Sequence, residues 1–579
     1  MTSRKRWHLK STATDADVSE LAASLNNLHP SLARTLMERG IATFDAARAY
    51  FRASISDLHD PFLMQDMEKA VTRIAEALEA DEQFVVYGDY DVDGTTATAL
   101  LTRYLRDVGG KVSFFVPNRF EHGYGLSKQG LDHAASEGAR LVIALDCGVT
   151  AIEEAVYARE KGMDLIICDH HTPLDTLPDA VAVLNPKRAD CAYPYKELCG
   201  CGVTFKLVQA LESRLQRSRS SIFDFLDLVA LATASDVVSV TGENRILLRE
   251  GLKQLRTNAR IGLRMLAEQA DVRLSECSAS NIIFTLGPRI NAAGRLGDAA
   301  RAVSLMLAFD ELEATARARQ LERLNQERRE LDRETQELAF EQADRILARG
   351  SRHTLVLHDD DWHLGVIGIV ASRLVERHFR PTIMMTTVNG YAKGSARSVA
   401  GINIHAALKE CSDILTEFGG HDFAAGLSLP VDAIPEFADR FEEAVSRAIT
   451  PDLLEPVVDV DAKLPVREIN AKLWSILHQF APFGPDNDMP TFQAGNLEVV
   501  GAISTVGRDR SHLRFAVQDR DGGQRLDVIG FRMSKYLDTV SESQATGTPL
   551  ELLYSIQENT WNGRTKLQLQ AHDMRLETA

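Results

Sequence analysis

The chain has 579 residues, which is enough for about four domains of ordinary size. An apolar share of 45% with 25% charged residues excludes a disordered chain. A formal net charge of −17 excludes a protein that coats nucleic acid by overall basicity, while leaving room for an enzyme with a local basic groove. The seven cysteines contain no CxxC pair. They fit free thiols in a reducing compartment and argue against a zinc ribbon. The basic residues 1–10 lead into a polar stretch, and no apolar run reaches the roughly 18 residues of a membrane span. The expected location is the cytoplasm, with no membrane contact.

In chain order, residues 15–80 predict short helices, with Leu25, Leu28, Leu32 and Leu36 at helical spacing. The pattern then changes. Phe84-Val85-Val86-Tyr87 is a strand-like run ending in Gly88-Asp89, and a helical segment follows over 95–108. Residues 111–116 predict a second strand. Leu141-Val142-Ile143-Ala144-Leu145 ends in Asp146-Cys147-Gly148, and Leu165-Ile166-Ile167-Cys168 ends in Asp169-His170-His171. Residues 180–184 predict one more strand. Continuous apolar strands alternating with helices predict a parallel sheet buried on both faces. Such sheets bind ligands beyond the carboxyl ends of their strands, and three of these ends carry Asp or His.

Residues 222–238 predict a largely buried helix that carries Asp236. Residues 310–349 contain no Gly or Pro and space Leu324, Leu331 and Leu338 seven apart. They predict a long, mostly solvated connecting helix supported by i,i+4 ion pairs. A second α/β pattern begins near Thr354. It includes a strand over 383–387 and glycine-rich loops around Gly394-Ser395-Ala396-Arg397-Ser398 and Gly419-Gly420-His421. After about residue 450 the pattern is mostly β. Asp521-Gly522-Gly523 and Asn562-Gly563 mark hairpins, which predicts a small barrel of the oligonucleotide-binding type.

The densest chemical feature is Gly88-Asp89-Tyr90-Asp91-Val92-Asp93-Gly94. Three carboxylates in five residues repel one another unless a cation neutralises them. An EF-hand opens with similar spacing, but its twelfth position must be glutamate, and here it is Leu100. Two adjacent histidines after Asp169 suggest a metal ligand and a substrate contact, with the acid orienting them. Asp236, if buried, must be paired, protonated or bound to metal. Carboxylates with some imidazole suit Mg²⁺ or Mn²⁺. Two such ions can drive metal-dependent hydrolysis of a phosphoester or phosphoanhydride.

Taken together, the motifs resemble those of the DHH phosphoesterase superfamily and, within it, the RecJ single-strand-specific exonucleases. Tyr87-Gly88-Asp89-Tyr90-Asp91-Val92-Asp93-Gly94 resembles the first motif and Asp146-Cys147-Gly148 the second. Asp169-His170-His171 resembles the third, and Ser235-Asp236-Val237-Val238 the fourth. Gly419-Gly420-His421-Asp422-Phe423-Ala424-Ala425-Gly426 is similar to the glycine-histidine motif of the DHHA1 domain. Gly287-Pro288-Arg289-Ile290-Asn291-Ala292-Ala293-Gly294-Arg295 is similar to a segment of the RecJ group.

The resemblance implies two α/β domains, a parallel-sheet DHH domain and a smaller DHHA1 domain, joined by a long helix and followed by an OB-like β-barrel. The expected divisions are a helical region at 1–74, the catalytic domain at 75–240 and a helical connector at 241–350. The substrate-binding domain is expected at 351–450 and the barrel at 451–579. By the same resemblance, Asp91 and Asp146 hold one Mn²⁺ or Mg²⁺ ion. Asp93, Asp146, His170 and Asp236 hold the other, with Asp169 behind the histidines. Asp89 is an outer ligand or a proton acceptor, and His171 touches the scissile phosphate. Tyr87 stands where related phosphatases have a histidine ligand, and a neutral phenol is a poor substitute. Ser395, Arg397 and His421 resemble the family's phosphate and backbone contacts, and Arg289, Arg295, Arg119 and His122 are further candidates for DNA. The activity implied is 5′→3′ exonuclease action on single-stranded DNA in recombination and repair, by a monomer that works with a helicase and a single-strand-binding protein. The alternative is an oligonucleotide or cyclic-dinucleotide phosphodiesterase of the same superfamily.

Overall fold

The computed structural model describes residues 5–123, 125–217, 221–350, 352–450, 453, 455–561 and 564–577. Two compact units make up the chain. The first comprises Met1–Leu58, Ser239–Ile246 and Val457–Ala579, and the second His59–Val238 and Leu247–Pro456.

In the second unit, five parallel strands run in the order Lys111–Phe115, Gln83–Tyr87, Leu141–Leu145, Asp164–Cys168, Ala182–Leu184. The apolar runs of the inner strands are unbroken because both faces are covered, while the edge strand Lys111–Phe115 is partly exposed and carries Lys111 and Ser113. Val85, Tyr87, Val142, Ala144, Leu165 and Ile167 share a core with Leu131 and Ala134 of helix Lys128–Ser136 and Ala155 and Ala158 of helix Ile152–Glu160. The helices Val92–Asp107 and Gly200–Arg214 pack against each other and against the sheet. The chain leaves Gln83–Tyr87 toward one edge and returns to its other side at Leu141–Leu145. The strand order therefore reverses between those two strands, and a ligand crevice belongs there.

Helix Leu226–Ser235 is shorter than the predicted helix over 222–238. A 3₁₀ turn, Ser221–Phe225, precedes it, and Asp236 is its C-cap with extended backbone at ψ 158°. Asp236 thus stands at a helix end rather than inside an apolar helix. The long helix is Glu311–Ala348, and its N-cap Asp310 accepts a hydrogen bond from the Glu313 amide. Its buried stripe consists of small and polar residues, among them Ala314, Ala318, Asn325, Asp332, Ala339 and Ala343, with Leu321 as its one large apolar member. Of the heptad-spaced leucines, Leu338 is half exposed. Close helix packing selects small side chains here, so the leucines do not mark the seam.

The helix leads into a five-stranded sheet ordered Glu417–Gly420, Ala424–Pro430, Tyr391–Arg397, Thr382–Val388, Leu355–His358. Only the pairing of Leu355–His358 with Thr382–Val388 is parallel. Gly394, Ser395, Ala396 and Arg397 therefore lie in a strand, and Gly419 and Gly420 in another. The glycine-rich loops expected at both places are corrected to extended chain. Glycine in a strand marks close approach of a neighbour rather than a turn.

In the first unit, the strands Phe492–Val499, Leu550–Trp561, Arg564–Leu576, Leu526–Gly530 and His512–Asp519 form a sheet. It closes where Phe492–Val499 pairs again with His512–Asp519. The turn at Asp521-Gly522-Gly523 joins antiparallel neighbours as predicted, while Asn562-Gly563 lies outside the described residues. Leu32 and Leu36 of helix Pro30–Met37 are buried in the same core as Phe480, Phe492 and Tyr554. Arg6–Leu9 pairs with Val457–Val460 as a parallel strand that no pattern in the sequence announces. Among the described residues no helix is long and apolar enough to cross a membrane.

Candidate metal centre and phosphate cleft

Four chain segments deliver the acids to one place. After strand Gln83–Tyr87 the chain turns through Gly88-Asp89-Tyr90 into helix Val92–Asp107. Asp91 is the N-cap of this helix and accepts from the Gly94 amide at 3.1 Å, so its carboxylate is held at the helix mouth. Asp93, the second residue of the helix, accepts from the amides of Gly200 (2.6 Å) and Cys201 (2.7 Å) at the start of helix Gly200–Arg214. Asp146 follows Leu141–Leu145 with φ +59°, a left-handed conformation that a non-glycine residue adopts only when its surroundings impose it. Its amide donates to the Cys168 carbonyl at 2.8 Å, which pins it beside the next strand. His170 and His171 follow that strand.

The ligand atoms of Asp93, His170 and Asp236 lie within 4.8 Å of one another, as do those of Asp89, Asp91 and Asp146 and those of Asp146, His170 and His171. His170 Nε2 stands 3.2 Å from Asp146, 3.6 Å from Asp236 and 3.8 Å from Asp93. Asp89, Asp93, Asp146 and His170 are buried. Burial and then neighbouring carboxylates push the acids up: Asp91 acts on Asp89, Asp236 on Asp93, and Asp93 on Asp146. Burial lowers His170 to about 4, so its imidazole is neutral and free to ligate. Asp89 Oδ1, Asp146 Oδ1, Asp236 Oδ2 and His170 Nδ1 are buried with no hydrogen-bond partner. Crowded carboxylates with unpaired oxygens fit divalent cations, which supply the missing partners and the missing charge.

Asp169 has a different task. Its carboxylate accepts from the amides of Val149, His170 and His171 and from His171 Nδ1 at 2.7 Å. Burial acts to raise its pKa, but these bonds outweigh burial and hold it at about 2. Burial lowers His171, and the Asp169 bond more than offsets that, raising it to about 9. His171 is therefore a cation at neutral pH, with Nδ1 held by Asp169. Asp169→Asn is expected to bring His171 back toward its ordinary pKa of about 6.5 in the metal-free protein. The same change costs stability of about 2 kcal/mol at pH 7. Because the folded pKa of Asp169 lies below the unfolded value, its contribution is present above about pH 4 and lost as pH falls toward 2. An NMR titration of His171 and thermal melts against pH check both.

Tyr87, at the position where related phosphatases have a histidine ligand, is buried, and its hydroxyl donates to the Gly125 carbonyl at 3.0 Å. It is committed to the fold. Arg119, Arg295 and Arg397 form a second group. Burial and then Arg119 lower Arg295 to about 10, and burial and Arg119 also lower Arg397. Asp91 acts on Arg295 and Asp89 on Arg119's neighbour Tyr90, so the basic group stands beside the acids. Uncompensated guanidinium groups this close favour a polyanion. Ser395 and Arg397 share one face of their strand, two residues apart, with Arg397 Nη1 donating to Ser395 Oγ at 2.9 Å.

Three further candidates have these surroundings. Arg289 is buried in an ion pair with Glu322 of the long helix and donates to the Thr285 carbonyl. His122 Nδ1 accepts from the Asn118 amide at 2.9 Å and so anchors the loop that carries Arg119. His421 is exposed in the turn between Glu417–Gly420 and Ala424–Pro430, and among the described residues its imidazole makes no hydrogen bond.

Two glycines that shape the site escaped the sequence reading. A Cβ on Gly200 would lie 2.6 Å from Asp146 Oδ1, and one on Gly368 would lie 2.9 Å from Ser395 Oγ and 3.0 Å from Arg397 Nη2. The run Cys199-Gly200-Cys201-Gly202 hinted at close approach, but not at its partner.

Comparison with known proteins adds the following. Residues 83–233 match the model of the DHH family, N-terminal domain, residues 351–447 the DHHA1 domain, and residues 460–573 the RecJ OB domain. The chain is 35% identical to the single-stranded-DNA-specific exonuclease RecJ of Bacillus subtilis, over 99% of this chain and 71% of that one. It is also 35% identical to the RecJ of Escherichia coli, over 96% of this chain and 97% of that one. The crystal structure of RecJ from Thermus thermophilus in complex with Mn²⁺ superposes with a TM-score of 0.83 at 30% identity, covering 100% of this chain and 81% of that chain.

Proposed function

The chain belongs to the RecJ family of single-stranded-DNA-specific exonucleases, and from that premise we propose that it hydrolyses single-stranded DNA from the 5′ end with two divalent cations, Mn²⁺ or Mg²⁺. The observation that carries this reading is the buried cluster of carboxylates and imidazole with unpaired ligand atoms at the reversal point of a parallel sheet. Asp91 and Asp146 are assigned to one ion, and Asp93, Asp146, His170 and Asp236 to the other. Asp89 lies against the first pair as an outer ligand or proton acceptor. When bound, the two ions supply an activated water and offset charge on the attacking and leaving oxygens.

The remaining work falls to the chain itself. His171, protonated and oriented by Asp169, presents Nε2–H to a nonbridging oxygen of the scissile phosphate or to the leaving oxygen. Arg119, Arg397 and Ser395 are assigned to the terminal phosphate, with Arg295 next to them. Arginine suits this place because its planar fork donates two parallel bonds. Within the second unit, contacts between the loop after strand Lys111–Phe115, helix Gly287–Leu296 and the start of helix Leu364–His378 narrow the approach: the ring of Phe120 meets that of His363 at 5.6 Å, and Arg295 donates to the Gly365 carbonyl at 3.2 Å. A narrow approach favours one strand over a duplex. As part of the same proposal, we assign the enzyme to the cytoplasm and to recombination and repair, beside a helicase and a single-strand-binding protein.

Digestion of single strands labelled at either end tests the proposal. A 5′ label is expected to appear at once as mononucleotide, with a 3′ label released last and duplex of the same sequence spared. Digestion from the 3′ end, or turnover of dinucleotides as fast as of long strands, would contradict it. The second of these results would favour an oligonucleotide phosphodiesterase.

A further inference from the structure

We propose that Tyr90 is a positioning residue whose aromatic ring holds the Arg119 guanidinium ready for the terminal phosphate. The proposal rests on the assignment of Arg119, Arg397 and Ser395 to that phosphate. The Arg119 guanidinium carbon stands 4.7 Å from the centroid of the Tyr90 ring. Among the described residues no carboxylate forms an ion pair with Arg119; Asp89 attracts it from beyond ion-pair distance, and the Tyr90 ring is the surface it stands over. The difference is chemical. A carboxylate would hold the guanidinium through the same N–H donors that a phosphate needs, and would compete for them. An aromatic face attracts the cation through its ring electrons and leaves the in-plane donors unspent.

The ring is itself held in place. Tyr90 lies between Asp89 and Asp91, in the turn that leads into helix Val92–Asp107. On the other side, helix Gly287–Leu296 presses on it. A Cβ on Gly294 would lie 2.4 Å from the Tyr90 carbonyl oxygen and 3.2 Å from the Tyr90 Cβ, so only glycine fits there. The next residue on that helix is Arg295. Tyr90 thus touches the helix that carries one arginine of the cleft and the side chain of another. The loop bearing Arg119 is fastened by the Asn118–His122 bond, so the guanidinium is fixed at its base and at its head.

The test is steady-state cleavage of one single strand bearing either a 5′-phosphate or a 5′-hydroxyl, by Tyr90→Leu, Tyr90→Phe, Arg119→Ala and the Tyr90→Leu/Arg119→Ala double variant. Tyr90→Leu is expected to raise KM for the 5′-phosphorylated strand about tenfold. Its kcat should stay within about twofold, as should KM for the 5′-hydroxyl strand. Tyr90→Phe keeps the ring and is expected to recover most of that affinity. The double variant should be no weaker than Arg119→Ala alone. Equal losses on both strands, additive effects in the double variant, or no recovery by Tyr90→Phe would overturn the proposal. If Arg119→Ala fails to distinguish the two 5′ ends, the phosphate assignment itself falls and the proposal with it.

Discussion

Replacing Asp146 with asparagine is expected to reduce turnover of single-stranded DNA by about 10³-fold or more while leaving the fold intact. Asparagine is the right probe because it tolerates the left-handed backbone at φ +59°, which alanine does not. Asp146 is the acid common to the two clusters in which it takes part, one with Asp89 and Asp91 and the other with His170 and His171. Losing its charge therefore weakens both proposed ion sites at once. Stability should move the opposite way. Burial and four neighbouring acids raise the pKa of Asp146 well above its ordinary value. A folded pKa above the unfolded one means that stability is full below about pH 4 and falls as pH rises. In metal-free buffer at pH 7, Asp146→Asn should thus melt higher than the unmodified protein. With Mn²⁺ added the order should reverse, because only the unmodified protein gains binding energy. Melts in chelator and in Mn²⁺, together with kcat, check all three statements. A variant that melts lower in chelator would mean that the acid supports the fold rather than an ion.

Gly200→Ala is expected to lower kcat by about 100-fold or more, although the residue carries no chemistry of its own. The added methyl would stand 2.6 Å from Asp146 Oδ1 and 2.7 Å from Asp146 Cβ. Neither side has room to yield. Asp146 is fixed by its amide bond to Cys168, and Gly200 by its amide bond to Asp93. Overpacking of this kind costs about 1–3 kcal/mol and moves side chains off their rotamers. The displaced group here is a proposed metal ligand, so Mn²⁺ affinity should fall with kcat. Near-normal kcat and Mn²⁺ affinity would show that the acids tolerate a looser arrangement than the structure implies.

These two residues also show how far the sequence could be read. Asp146 was legible because buried parallel strands are unbroken apolar runs, and a charged residue at their ends stands out. The same holds for Asp169-His170-His171 and for the three acids packed into Asp89–Asp93. Asp236 was found as well, but it was placed inside a helix, since the apolar pattern does not show where Leu226–Ser235 stops. Gly200 was not legible. Its role depends on a carboxylate more than fifty residues away in sequence, and nothing local marks that contact. The ion pair of Arg289 was not legible either. The residue sits in a suggestive motif, yet its partner Glu322 lies on a helix whose packing the sequence does not fix. Ser395 and Arg397 were placed in a loop because glycine usually signals a turn. In the structure the glycine lets strand Tyr391–Arg397 run close to its neighbours, and alternation along the strand puts the two side chains on one face. The pairing of Arg6–Leu9 with Val457–Val460 spans most of the chain and left no periodic trace.

The central claim is that the buried acids hold divalent cations that the chain uses to cleave single-stranded DNA. The most direct test is to strip the protein with chelator and titrate Mn²⁺ while following binding and cleavage of a 5′-labelled single strand together. The account predicts no cleavage in chelator, full recovery, and two Mn²⁺ bound per chain when recovery is complete. Undiminished cleavage in chelator, or recovery with no Mn²⁺ bound at Asp91, Asp93, Asp146, His170 and Asp236, would contradict it.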